Sequence, residues 1–377
     1  MSKWREFQLE ELAEIVNNQR VPLSSMERAN KKGCFPYYGA SGIVDYIDDY
    51  IFDGDYVLIS EDGENLRTRK TPIAFRVIGK FWVNNHAHII KPKTPYLSVL
   101  IPLIFKSLDL NEYITGAVQP KLNKANLVSI PIFLPENPIA QENLAKTLSN
   151  FDNKIDLLHR QNKTLEAMGE TLFRQWFVED AQENWTDCSV SDFADHAKEN
   201  VIPQNHADTL FSHYSIPAFD NERRPTLEPG REILSNKFKV LPYSILVSKL
   251  NPRTPRIWPI CELSNDNSIC STEFQVIKPK SQDLFGFILF LLRSNEATDA
   301  LIMAASGTSG SHQRVRPEDI LNIGIKLPSE TLAKKFSDLV MPNITKMQAN
   351  LSQIQTLEKL RDTLLPKLLI GEVRVEI

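Results

Sequence analysis

The residues best suited to chemistry sit in four polar loops. Arg67-Thr68-Arg69-Lys70 follows a glycine turn, and Gln119-Pro120-Lys121-Leu122-Asn123-Lys124 follows Thr115-Gly116. Later in the chain, Lys249-Leu250-Asn251-Pro252-Arg253-Thr254-Pro255-Arg256 takes the place of the first loop. The stretch from Ser306-Gly307 through His312-Gln313-Arg314-Val315-Arg316 takes that of the second. Arginine and lysine neutralise phosphates, whereas arginine, glutamine and asparagine form paired hydrogen bonds to guanine and adenine edges. Glycine lets a backbone amide approach a phosphate closely. One charged loop is ordinarily just solvated, but two loop positions that are basic in both halves point towards DNA. The candidate contacts are Arg67, Arg69, Lys70, Gln119, Lys121, Asn123, Lys124, Lys249, Asn251, Arg253, Arg256, His312, Gln313, Arg314 and Arg316.

Catalytic constellations are missing. The sequence has no GxGxxG and no GxxxxGK[ST] phosphate loop, and it lacks HExxH, GxSxG and paired CxxC motifs. Asn251-Pro252-Arg253 is the nearest approach to the Asn-Pro-Pro-Tyr tetrapeptide of base-amino methyltransferases, but no Pro-Pro dipeptide occurs. The acidic run Asp45, Asp48, Asp49, Asp53, Asp55, Glu61, Asp62, Glu64 fits no metal-site spacing and reads as a solvated strand-and-turn face. His86 and His88 would share a face of one strand, Trp82 to Ile90, in a polar surface or interface role. No catalytic site, metal or cofactor is expected.

Composition bounds the rest. At roughly 150 residues per domain, 377 residues suggest two or three domains. With 43 basic against 47 acidic residues the net charge is −4, which excludes a polybasic binder but not a local basic face. Four cysteines without a CxxC pair argue against a disulfide framework or a structural zinc. The start Met1-Ser2-Lys3-Trp4 lacks a signal peptide's apolar core, and the most apolar stretch, Leu284 to Leu292, is too short to span a bilayer. A soluble, reduced, cytoplasmic protein is the expectation, with no membrane contact.

The elements that must position the loops are duplicated. Trp4-Arg5-Glu6-Phe7-Gln8-Leu9-Glu10-Glu11-Leu12-Ala13 aligns with Trp185-Thr186-Asp187-Cys188-Ser189-Val190-Ser191-Asp192-Phe193-Ala194. Tyr56-Val57-Leu58-Ile59-Ser60 echoes Ser244-Ile245-Leu246-Val247-Ser248, and the alternating run Ile130 to Pro135 echoes Ile323 to Pro328. Each copy closes on a helix with apolar residues three and four apart. In the first these are Leu144, Leu148, Phe151, Ile155, Leu158, Leu165 and Leu172, with lapses at Asn162 and Gly169. In the second they are Val340, Ile344, Met347, Leu351 and Ile354, and Pro342 is expected to break or start the helix. A 3.5-residue repeat makes a narrow seam that wants one partner helix. Ala140 to Phe177 would extend ~57 Å as helix. The expected fold is α/β (α+β): two mixed domains, 1–136 and 185–328, each followed by a long helical region, 137–184 and 329–377. The two helices are expected to pair as an antiparallel coiled coil within a pseudo-twofold repeat.

Four stretches resemble the DNA-specificity subunits of type I restriction–modification systems. They are Tyr37-Tyr38-Gly39-Ala40-Ser41-Gly42 leading to Tyr56 through Leu66, the segment Thr115-Gly116 to Pro135, Leu172-Phe173-Arg174-Gln175-Trp176-Phe177-Val178, and Leu364-Leu365-Pro366-Lys367-Leu368-Leu369-Ile370-Gly371. The resemblance implies two target recognition domains, each reading half of a bipartite, asymmetric site in double-stranded DNA. It also implies a helical spacer that fixes the gap and docks two adenine-methyltransferase subunits, which restriction/translocase subunits then join. Such a subunit has no catalysis of its own. The chain's end is expected to return near Trp4, giving a pseudo-circular molecule. The alternatives are the specificity subunit of a combined restriction–methylation enzyme that cleaves outside its site, and a coiled-coil adaptor with no DNA role.

Overall fold

The structure is a computed structural model that describes residues 3–116, 118–263, 265–305, 313–327 and 329–369. The chain divides into two compact units, Met1–Leu157 with Gln353–Ile377 and Leu158–Ser352. The expected return of the chain's end to Trp4 falls on residues outside those described, as do Ser306-Gly307 and His312.

The first unit opens with a short ribbon, β1 (Trp4–Phe7) antiparallel to β8 (Ile132–Pro135). Its main sheet uses β2 (Ala13–Ile15), β3 (Lys32–Gly39), β4 (Gly42–Ile47), β5 (Phe52–Ser60), β6 (Ala74–Val83) and β7 (Ala87–Pro92), in the order β2-β7-β5-β6-β3-β4. The central strand β5 is apolar from Tyr56 to Ile59 and buried there on both faces. Helix Leu97–Ser107 covers one face, and Leu144, Ala145 and Leu148 of the first long helix join the same core. The strand expected from Trp82 to Ile90 is two strands, because Asn84 to His86 turn the chain between β6 and β7.

The second unit repeats this plan and adds to it. Its ribbon pairs β9 (Thr186–Ser189) with β19 (Gly324–Leu327). Its equivalent sheet runs β10 (Ala194–Ala197), β18 (Phe274–Pro279), β15 (Ser244–Ser248), β16 (Ile257–Ile260). A second sheet, absent from the first unit, contains β11 (Asn200–Val201), β14 (Lys237–Lys239), β17 (Ser268–Ser271), β12 (Leu210–Tyr214) and β13 (Thr226–Pro229), in that order. The apolar run read from the sequence forms helix Phe285–Arg293, buried from Phe285 to Leu292 on all sides and hence at the centre of this unit's core.

Details of the two units match bond for bond. The Lys93 ammonium donates to the carbonyls of Glu10 and Glu11 (2.8 and 2.7 Å), capping the helical turn Leu9–Leu12. Lys280 does the same to Ser191 and Asp192 (2.7 and 3.2 Å) below Val190–Phe193. Both turns begin with a capping box, Gln8/Glu11 in one and Ser189/Asp192 in the other.

The long helices are Pro138–Arg174, followed by a π-helical turn over Gln175–Glu179, and Glu330–Leu369. Pro342 does not break the second. Its missing N–H removes one bond to the preceding turn, but Val340 and Ile344 on either side are fully buried and hold the helix. Within the second unit the helices pack antiparallel: Phe173 lies against Phe336, while Asn162, a lapse in the apolar count, meets Met347 and Asn350. Asn350, not Leu351, is the residue buried in the seam. Its amide donates to Asn162 Oδ1 (2.7 Å) and Gln161 Oε1 (2.9 Å). Within the first unit, Arg361 of the second long helix donates to Asp152 of the first at 2.6 Å. Among the described residues no helix is long and apolar enough to cross a membrane.

The other lapse, Gly169, has a steric cause. A Cβ there would sit 2.0 to 2.7 Å from three atoms of the Phe290 ring, a separation that real Cβ atoms do not reach. Gly169→Ala gains about 1 kcal/mol of helix propensity but forces a fully packed ring aside, at a cost of roughly 1–3 kcal/mol. The variant is therefore expected to be less stable than the parent in chemical denaturation, although alanine is the better helix former.

Candidate nucleic-acid interface

The loops singled out by their charge come together in pairs. In the first unit, the turn that leaves β5 meets the segment after Thr115 through an isolated bridge between Asp62 and Lys121. Leu122 N–H donates to Glu61 O (2.8 Å), Gly63 N–H to Pro120 O (3.0 Å), and Glu61 N–H to His86 O (2.8 Å). In the second unit the turn that leaves β15 meets the segment after His312 through a bridge between Leu250 and Arg314. Val315 N–H donates to Lys249 O (2.9 Å), Asn251 N–H to Gln313 O (3.1 Å), and Lys249 N–H to Glu273 O (2.9 Å). Both turns need a left-handed residue. Gly63 supplies it at φ 111° and Asn251 at φ 49°, the two residue types that tolerate it best. The corners are the same backbone object built twice.

Their side chains differ. At the first corner Glu61, 14% exposed, accepts from Arg20 at 2.7 Å, with Lys121 at 3.4 Å and His88 at 3.8 Å. Burial works to raise the Glu61 carboxyl, but the Arg20 guanidinium, helped by His88 and Lys121, outweighs it and holds it below the ordinary value. Asp62 pairs with the exposed ring of His86 at 2.9 Å. At the second corner the position of Glu61 is held by Lys249 and that of Lys121 by Arg314. These two cations flank Glu273, at 3.8 and 3.6 Å. Of the residues read in the sequence as part of a solvated acidic face, Glu61 is thus ion-paired and Asp62 is hydrogen-bonded to the His86 ring. Asp45 (with Lys32, 2.6 Å) and Asp55 (with Arg76, 2.7 Å) are ion-paired too.

The remaining candidates separate by what holds them. Arg67 donates to Gly116 O at 2.8 Å, tying the two first-unit loops together. Arg69 adopts φ 48° and gives its guanidinium to the carbonyls of Lys106 and Leu108, closing the end of helix Leu97–Ser107. Asn123 caps helix Lys124–Ser129 by accepting from Asn126 N–H at 2.9 Å. Arg316 stands at the equivalent start of helix Pro317–Leu321, where its N–H donates to Asp319 at 2.7 Å. Arg256 forms a two-pronged pair with Asp220 (2.7 and 3.0 Å), which raises the guanidinium's pKa further. Gln119, Lys70, Lys124 and Arg253 are exposed, and among the described residues the three cations have no ion-pair partner. Gln313 is half-buried with its side-chain oxygen unpaired.

His88, expected on a polar surface, is 1% exposed. Its Nδ1 accepts from the Asn17 amide at 2.8 Å, so Nε2 carries the proton and donates to Leu122 O at 2.7 Å. That linkage ties the first corner to the sheet. Sequence reasoning missed the parts played by Arg20, Glu61, His86, His88 and Glu273, because each acts through a partner far along the chain. The only available signal was the alignment of β5 with β15. Among the described residues no group of three or more metal-ligating side chains gathers.

Residues 1–167 match the family model described as the type I restriction modification DNA specificity domain. A Haemophilus influenzae protein bearing the name of a type I restriction enzyme specificity subunit is 37% identical over 135 residues, 36% of this chain and 34% of that protein. The chain therefore aligns with about a third of that relative's length. The MjaIX type I restriction enzyme specificity subunit of Methanocaldococcus jannaschii is 26% identical over 353 residues, 83% of this chain and 78% of that protein. The crystal structure of the type I restriction–modification S subunit from M. genitalium superposes with a TM-score of 0.63 at 13% identity. It covers 100% of this chain and 97% of that one, a likeness of fold.

Burial pushes the His88 pKa down from its ordinary 6.5, against the opposing pull of the Leu122 carbonyl and Glu61. The unfolded chain takes up this proton near pH 6.5 and the folded chain resists it. Stability is therefore full above that pH and falls as the pH drops below it, until folded His88 is itself protonated. His88→Gln, which places here the residue type found at the matching Gln275, is expected to lower the slope of unfolding free energy against pH by up to about 1.4 kcal/mol per pH unit below pH 6.5. Denaturant titrations across that range read the difference.

Proposed function

We propose that the chain is a DNA specificity subunit of a type I restriction–modification system, as the match of residues 1–167 and the similarity to named specificity subunits support, and that it reads a bipartite site in double-stranded DNA, one half per unit. The observation that carries this reading is the pair of corners with one backbone and two sets of side chains, as a duplex site with two unlike halves requires. The recognition domains in this reading are residues 1–136 and 185–328. The helices of 137–184 and 329–377 fix the gap between half-sites and dock two adenine-methyltransferase subunits, with restriction/translocase subunits completing the assembly. The chain itself carries no catalysis in this scheme, and the methylation and cleavage chemistry lies in its partners.

A net charge of −4 leaves the phosphate clamp to a few local cations and to the partners. Lys70, Lys124 and Arg253 suit backbone phosphates, being exposed and unpaired among the described residues. Changing any one to glutamine in the methyltransferase complex is expected to weaken binding to all duplexes alike and to reduce the slope of log K against log salt by about 1. Arg69→Gln, by contrast, is expected to destabilise the first unit and leave that slope unchanged. Fluorescence anisotropy across a salt series separates the two, and unaltered slopes for all three exposed cations would count against the reading.

A further inference from the structure

The two corners share the same set of main-chain hydrogen bonds, which most side-chain exchanges leave in place. Beyond the exchanges of Glu61 for Lys249, Gly63 for Asn251 and His86 for Glu273, three more places on the shared frame carry different side chains. Asp62 is matched by Leu250, Pro120 by Gln313, and Lys121 by Arg314. Arg314 has a side chain 58% exposed and only a loose pairing with Glu273, at 3.6 Å, which leaves its guanidinium fork available. Lys121 is 50% exposed and pairs with Glu61 at 3.4 Å, while Asp62, its main-chain bridge partner, is hydrogen-bonded to the exposed ring of His86 at 2.9 Å. These differences are larger than drift on a solvated turn would need. A proline has been exchanged for an amide whose oxygen has no partner, and a carboxylate for an aliphatic chain.

We infer that these corners set the base preference of each half-site, Arg314 selecting a guanine in the half read by the second unit and Asp62 selecting a base with an exocyclic amine in the half read by the first. The guanidinium fork matches the O6 and N7 acceptors of guanine, which it can grip with two parallel bonds. A carboxylate can only accept. It therefore favours the N4 amine of cytosine or the N6 amine of adenine and repels the acceptor edge of guanine. Lys121, at the place of Arg314 and joined to Asp62 through the main-chain bridge, supplies positive charge at that corner. Leu250 leaves the second corner free of that constraint. The inference rests on the DNA-recognition reading and adds to it the residues that choose the bases.

The test uses the full chain in complex with its methyltransferase subunits, incubated with a pool of randomised duplexes, the retained molecules being sequenced. The parent is expected to select a two-part motif with a guanine in one half. Arg314→Gln is expected to lower the preference for that guanine about tenfold or more and to leave the other half unchanged. Asp62→Leu, which installs the residue the sister frame already carries, is expected to relax one position in the opposite half. Thermal unfolding checks that each variant folds, and Arg314→Lys, which borrows the first unit's residue, stands in for Arg314→Gln if it does not. A parent motif retained without change by the folded variants overturns the inference while leaving the recognition reading intact. A parent complex that selects no motif overturns both.

Discussion

A helix nearly forty residues long with a single apolar stripe cannot stand alone in water, and this constraint organises the molecule. Leu144, Leu148, Ile155 and Leu158 on one long helix and Phe336, Val340, Ile344 and Ile354 on the other are all buried, and each row needs another surface to cover it. The seam is not uniformly apolar. Asn350 is wholly buried and spends its amide on Gln161 and Asn162 of the facing helix. A buried amide costs some stability and penalises any sliding of one helix past the other, because a shifted register would leave it without these partners. The glycine at 169 belongs to the same arrangement, since it lets helix Phe285–Arg293 lay Phe290 directly against the helix backbone.

From this support each unit builds a sheet whose central strand ends in a turn, and that turn meets a returning segment. Main-chain groups make the junction itself, so apart from the positive-φ residue of each turn the same junction carries different side chains. Around the first corner the side chains interlock: Arg20, Glu61, His88 and Lys121 form a network anchored below by Leu122 and Asn17. Around the second, the charges are rearranged about Glu273. Several residues that look from their charge like ligand contacts are bonded within the scaffold. Arg69 closes a helix end, Asn123 caps the next helix, and Arg256 is committed to Asp220.

Much of this was legible in the chain. The duplication, the pairing of β5 with β15 by sequence and the existence of both long helices follow from local pattern, which depends on neighbours a few residues apart. What escaped notice depended on partners distant in sequence. Pro342 looks like a helix end until the buried side chains on either side of it are known. His86 and His88 look like one strand face, but the turn before β7 separates them, and only His88 is drawn inside by Asn17 and Leu122. The extra five-stranded sheet of the second unit has no counterpart to align with, and so no repeat to betray it. Loop charge singled out segments that the fold brings together in pairs but could not rank their members, because ranking requires knowing which cations are already bonded within the fold.

The sharing of one backbone corner between two unlike sets of side chains has an evolutionary consequence. Where carbonyls and amides alone maintain a geometry, selection on what the surface displays is decoupled from selection on folding. Substitutions there start from a nearly neutral stability cost, so new preferences can be explored one residue at a time. A lineage built this way can vary what its corners display while its architecture stays recognisable long after its sequence has drifted.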